Sequence, residues 1–183
     1  MLGRLGFVAA LVTLIAVIVI PTAGATAPIR EEVVFSDVTY DDFYLSDACG
    51  FTVINNLSAD VSVTFFPAAH GSPAHEVDTL THGVITYSSP DTGNSLTRSM
   101  NGTAHSVYPE GTSPGSPALL TFIGVNMSSL GTGPPGSGQL VANGTILFVD
   151  DLGVPVTAFD TSGIVSMRGS FAATTAEICA ALS

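Results

Sequence analysis

The sequence predicts an all-β domain: an antiparallel β-barrel or closed β-sandwich with a short C-terminal helix. Three observations carry the prediction. Helical periodicity is nearly absent across residues 28–171. Short runs rich in Val, Thr, Phe, Tyr and Ile alternate there with clusters of Gly, Pro, Asn, Asp and Ser, the pattern of many short strands joined by turns. Only the last residues place apolar side chains on one helical face, at Ile178, Cys179 and Leu182.

Taken in order, the runs predict strands at 32–36, 49–55, 61–66, 75–80, 84–88, 95–100, 103–108, 119–125, 139–142, 145–149, 156–159 and 164–168. The acidic stretch from Asp41-Asp42 to Asp47 predicts an exposed connection ahead of a strand that begins at Cys49. Asn101-Gly102 and Asn143-Gly144 suit two-residue type I′ turns, in which both central residues need positive φ. The alternative for each pair is a bulge within one longer strand. Residues 131–138 (Gly-Thr-Gly-Pro-Pro-Gly-Ser-Gly) predict a loop, because Pro cannot donate to a ladder and Gly weakens it. Pro155 stands just ahead of the strand at 156–159, where a missing N–H does least harm. Thr174-Thr175-Ala176-Glu177 predicts a capping box that opens the terminal helix.

The N-terminus sets the expected compartment. Arg4 precedes a charge-free apolar run at 5–20, Pro21 ends it, and Ala23-Gly24-Ala25 supplies a small-x-small cleavage site. Residues 1–25 therefore read as a signal peptide, with one secreted β domain at 26–183. As a helix the run would reach about 24 Å, short of a bilayer core of about 30 Å. The alternative is an uncleaved signal anchor at 5–20 that tethers the domain to the membrane; after cleavage no stable membrane insertion is expected. In an oxidising compartment the only two cysteines, Cys49 and Cys179, read as one disulfide. Closing a loop of that length is worth up to about 5 kcal/mol in the chain-entropy model.

The chain carries a formal charge of −11 and no lysine. An acidic surface repels phosphate backbones, which argues against nucleic acid as a partner, and it disfavours anionic lipid. The acids are scattered, as expected of a soluble extracellular surface.

Several motifs fall short of a chemistry. Gly111-Thr112-Ser113-Pro114-Gly115 matches the G-x-S-x-G string, but prolines follow where a nucleophile elbow needs a helix, so a turn is expected. His70, His75, Glu76, Asp78 and His82 form the densest group of metal-ligand types. In a strand Glu76, Asp78, Leu80 and His82 would share a face with His75 opposite, which a polar surface strand explains without a metal. His105 with Tyr108 and Glu110 could supply acid–base groups in a barrel mouth. Asp150-Asp151-Leu152-Gly153 lacks the alternating acids of a calcium loop and reads as a turn. Asn56, Asn101, Asn126 and Asn143 fit N-x-[ST]. No metal or cofactor is expected, and no catalytic residue is assigned.

Three stretches carry a resemblance. Asp47-Ala48-Cys49-Gly50-Phe51-Thr52-Val53, Ile85-Thr86-Tyr87-Ser88-Ser89-Pro90-Asp91-Thr92-Gly93 and Glu177-Ile178-Cys179-Ala180-Ala181-Leu182 resemble segments of a group of secreted actinobacterial proteins of unknown function. That group has a CGF strand near its N-terminus and a CAAL helix at its C-terminus. The resemblance implies secretion, the disulfide and an all-β body, and carries no activity. Glu177 stands where the group usually has Asp, and Ser88-Ser89 where it more often has Thr-Asn. The expectation that follows is a non-enzymatic extracellular protein that binds a small molecule or a cell-envelope component. The alternatives are an isomerase- or cyclase-type enzyme, by architectural analogy with the dirigent and allene oxide cyclase barrels, or a structural or adhesion protein of the envelope.

Overall fold

In the computed structural model, residues 27–69, 71–112, 114–131, 133–147, 156–158 and 163–183 are described. The expected signal peptide or anchor, His70, Ser113 and the turn at Asp150 lie outside them. Strands β1 (Ile29–Asp41), β2 (Ile54–Phe66), β3 (His75–Ser88), β4 (Ser95–Val107), β5 (Ala118–Val125), β6 (Ser137–Leu147), β7 (Val156–Ala158) and β8 (Ile164–Gly169) are joined by helix α1 (Phe43–Cys49) and a 3₁₀ turn at Met127–Gly131, and end in helix α2 (Phe171–Leu182). Every ladder is antiparallel, and the order follows the chain from β1 to β7, with β8 also paired to β6. The all-β class and the C-terminal helix are those the sequence predicts. Among the described residues no ladder joins β1 to β7 or β8, so the hydrogen bonding does not close a barrel.

Side chains alternate across each strand, and one face collects the core: Leu57, Ala59 and Val61 on β2, Leu80, Ile85 and Tyr87 on β3, Met100 and Ala104 on β4, Leu120 and Phe122 on β5, Leu140 and Ala142 on β6. A single sheet buries one face along its length by folding over on itself.

The means of folding is a crease that crosses the strands at one level. On β1, residues 36 and 37 oppose the single Ser58, and Asp37 takes a φ of 53° while its N–H donates to Ser58 Oγ at 3.0 Å. On β3, Thr81 and His82 oppose the single Asn101, with His82 at a φ of 52°. These are bulges, which bend a strand and raise its twist. From β4 onward the crease is carried by glycine: Leu80 pairs with Gly102, Gly102 with Gly124, Gly124 with Gly138 and Gly138 with Gly169. Gly102 and Gly124 hold φ of 143° and 150°, and a Cβ on either would collide with the other strand's backbone. Glycine kinks placed in register are a general way to curve a sheet.

The crease corrects several expectations. Twelve predicted strands become eight, because β2, β3, β4 and β6 each run through a predicted break. Asn101-Gly102 and Asn143-Gly144 lie inside ladders, so the longer-strand reading holds and the type I′ turns do not form. Cys49 ends a helix rather than beginning a strand. That helix is capped by Asp42, whose side chain accepts from the Leu45 N–H at 2.8 Å and is fully buried, not exposed. Gly50 closes it in the left-handed conformation at a φ of 77°. Helix α2 begins at Phe171 after Ser170, one turn before the predicted capping box, so Thr174 and Glu177 lie within it.

Candidate functional site

The crease divides the buried face into two polar ends. At one end the helices form a lid. Cys49 and Cys179 are bonded, with Cα atoms 5.2 Å apart and a sequence separation of 130, so α1 is stapled to α2 rather than to a strand. Ile178 and Leu182 of α2 are buried, and the helix is held to the β3–β4 side by an Arg98–Glu177 ion pair at 2.7 Å and by Asn94 Nδ2 donating to the Ser183 carbonyl at 2.9 Å. Beneath the lid Asp42 also accepts from Asn55 Nδ2 at 2.7 Å. Tyr40 donates to the Ser129 carbonyl at 2.7 Å, and the Tyr87 hydroxyl meets Ser129 Oγ at 3.1 Å. Burial pushes the Asp42 carboxyl up to about 6, against the pull of its bonds from Leu45 and Asn55.

At the other end, register brings acids inward. Val63 pairs with both Glu31 and Asp78, and Asp78 with Ala104; Phe65 pairs with Glu76, and Glu76 with Ser106. Cross-strand partners share a face, so these residues line the buried side. Glu76 is 5% exposed and Asp78 0%. The Tyr108 hydroxyl, also buried, donates to Glu76 Oε1 at 3.4 Å. Both oxygens of Asp78, and Ser106 Oγ, have no hydrogen-bond partner among the described residues. Farther along the two rows come Phe122 and Leu140, and Leu120 and Ala142, all apolar. The Asp78 row ends at exposed residues on both sides: Glu31 on β1 and Met167 on β8.

Burial pushes Asp78 up to about 8, and neighbouring Glu76 adds to the rise. Burial likewise pushes Glu76 up to about 7; the Tyr108 hydrogen bond opposes this and Glu31 reinforces it. Tyr108 is raised by its burial and by both carboxyls. Glu76 and Asp78 titrate as a pair, which holds on to protons at a pH where ordinary carboxyls have lost theirs. Among the described residues no arginine neutralises them: Arg98 pairs at the opposite end, and Arg30 and Arg168 are exposed.

The sequence-predicted groups are divided by this geometry. Glu76, Asp78 and Leu80 do share a face, but it is the buried one, so the polar surface strand is corrected. His82 leaves that face at the bulge and meets Asp60 at 3.5 Å in solvent. His75 lies on the outer face, stacked on Phe66 with ring centroids 4.6 Å apart and edge-on to His105 at 5.5 Å. His105 therefore lies on the face opposite Tyr108, its pKa lowered by partial burial and then by His75. Glu110 is exposed beyond β4, and Gly111 and Thr112 form a turn. Of the four sequons, Asn126 is buried and donates to the Ser99 carbonyl at 2.9 Å. Among the described residues no group of three or more His, Cys, Asp or Glu is placed to hold a metal, and no helix is long and apolar enough to cross a membrane.

Comparison with protein-family models, with curated proteins and with solved structures finds no match to this chain.

Proposed function

We propose that the protein is an extracellular binding protein that holds a small, uncharged, largely apolar molecule inside the folded sheet. An oxygen of that molecule meets Asp78, beside the Glu76–Tyr108 pair. The observation that carries this reading is Asp78, fully buried with neither oxygen partnered among the described residues. A buried polar group without a partner costs about 1–3 kcal/mol, so a chain that keeps one there gains by using it. A few polar groups converging among apolar side chains is the usual composition of a small-molecule site. A protonated Asp78 donates to a carbonyl or hydroxyl oxygen, whereas two acids side by side disfavour an anion. The disulfide supports an oxidising, extracellular location.

The test uses three molecules of one shape: 4-phenyl-2-butanone, 3-phenylpropanoate and 3-phenylpropylamine. At millimolar concentration the ketone is expected to shift amide signals of residues 76–80 and 103–108 in a nitrogen–proton correlation spectrum, and to raise the melting temperature. The propanoate leaves both unchanged, and Asp78→Leu removes the effect of the ketone. An amine that binds more tightly than the ketone replaces the uncharged ligand with a cationic one. A spectrum unperturbed by all three overturns the reading.

A further inference from the structure

We propose that Glu76 and Asp78 act on such a ligand as a base and an acid, moving a proton between the carbon beside a carbonyl and its oxygen. The inference rests on the binding reading above and names the chemistry of the same site. The two side chains are two residues apart on one strand and project to one face, with Cα atoms about 6.6 Å apart. The proposed ligand places its carbonyl carbon and the neighbouring carbon between them. The two carboxyls are not equivalent. Glu76 receives the Tyr108 hydroxyl, a bond that favours its ionised form, while Asp78 has no donor to stabilise a negative charge. Glu76 is thus the group that ionises first and Asp78 the one that keeps its proton. Among the described residues the further titratable group facing them is Glu31 on β1, and the facing residues of β5 and β6 are apolar.

The step balances without a cofactor. The Glu76 carboxylate takes the proton from the carbon beside the carbonyl. The C–H pair becomes the carbon–carbon double bond of the enol, and the carbonyl π pair moves to oxygen, which takes the Asp78 proton. Glu76 is then the acid and Asp78 the carboxylate. Return of the Glu76 proton to carbon, and of the enol proton to Asp78, restores both groups. Return to the same carbon gives exchange with solvent, and return to the far end of a conjugated enol gives an isomer. A carboxylic acid kept neutral by an apolar site so that it can donate to a developing oxyanion is a known catalytic pattern. The substrate class is a neutral ketone with an enolisable carbon, and the reaction class is isomerisation.

In heavy water the protein is expected to speed deuterium uptake beside the carbonyl of 4-phenyl-2-butanone, on the order of 100-fold over buffer, the contribution typical of a positioned acid or base. Proton spectra follow the exchange. Glu76→Gln abolishes the acceleration while the ketone still shifts the amide signals. In Tyr108→Phe the rise of the exchange pH profile moves upward, because Glu76 loses the bond that favours its ionised form. That variant carries the test if Glu76→Gln does not fold. A ketone that perturbs the spectrum but exchanges no faster than in buffer, or equally fast in Glu76→Gln, overturns the proton transfer and leaves the binding reading standing. A Tyr108→Phe profile that does not move removes Glu76 as the base. A ketone that does not bind removes both proposals.

Discussion

The two ends of the buried face hold similar side chains and treat them differently. Under the helices the carboxyl of Asp42 and the hydroxyls of Tyr40 and Tyr87 reach named partners, although, among the described residues, Asn55 Oδ1 and Thr175 Oγ1 do not, and the lid above them is bonded through Cys49 and Cys179. Beyond the crease, Asp78 is as deeply buried as Asp42 and has no partner among the described residues. The same carboxyl group therefore stabilises one end and strains the other. A buried polar group is structural where its hydrogen bonds are complete, and a candidate for function where they are not. The crease permits the contrast, because it sets the two groups at opposite ends of one continuous core.

The largest expected effect breaks the lid. Replacing both Cys49 and Cys179 by Ser removes a cross-link over 130 residues, and a loss of up to about 5 kcal/mol is expected, read by denaturant unfolding. Mass analysis after alkylation checks the bond itself: two free thiols in the native protein would exclude it. The crease comes next. Gly124→Ala places a Cβ against the backbone of Asn101 and Gly102 at a φ that L-residues rarely adopt, and a loss of about 3 kcal/mol is expected. If Gly124→Ala unfolds at the same denaturant concentration as the native protein, the close approach of β4 and β5 is wrong.

A paired substitution then sharpens the contrast between the ends. Asp42→Ala removes the cap of α1 and leaves Asn55 Nδ2 without its acceptor, for an expected loss of about 2–3 kcal/mol. Asp78→Leu removes an unpartnered buried carboxyl, and a gain of about 1–2 kcal/mol is expected. Equal losses from the two would mean that the ends do not differ in the way described. A gain at Asp78 accompanied by loss of ketone binding would be the usual exchange of stability for function.

How much of this was legible in the sequence depends on range. The strands and the disulfide rest on local composition and on a count of two cysteines, and they could be read directly. Helix α1 was hidden because seven residues give too short a periodic signal, although Asp42 at its start and Gly50 at its end were the available clues. The Asn-Gly pairs misled, because a glycine that kinks a strand and one that turns a hairpin look alike until the partner strand is known. The acid pair was visible as residues but not as a site. In His75-Glu76-Val77-Asp78-Thr79-Leu80, polar types and single apolar residues occur on both faces, so alternation cannot say which face is buried. The register with Ala104 and Ser106 decides it, and that pairing is set by residues far along the chain. Four glycines at 102, 124, 138 and 169, one per strand, were the long-range signal that could have supplied the register.

The smallest expected effect concerns pH, and it probes the acid end without disturbing the lid. Asp78 and Glu76 are held up at about 8 and about 7 in the folded chain, against ordinary values of 3.8 and 4.5, and Asp42 is held up at about 6. Between the ordinary and the raised values the folded form binds more protons than the unfolded form, so stability falls as pH rises. The contribution is fully present below about pH 4 and is lost as pH climbs through the raised values toward 8. The melting temperature is therefore expected to be higher at pH 5 than at pH 8, by a few degrees. Asp78→Asn removes one of the two acids at that end and should lessen this slope from about pH 4 to pH 8, leaving the parts due to Glu76 and Asp42. Asp42→Asn should remove the part due to Asp42 and leave those of Glu76 and Asp78. Scanning both variants across pH separates the two ends by titration alone, and a native melting temperature that rises from pH 5 to pH 8 would show that the carboxyls at the acid end are ionised and partnered.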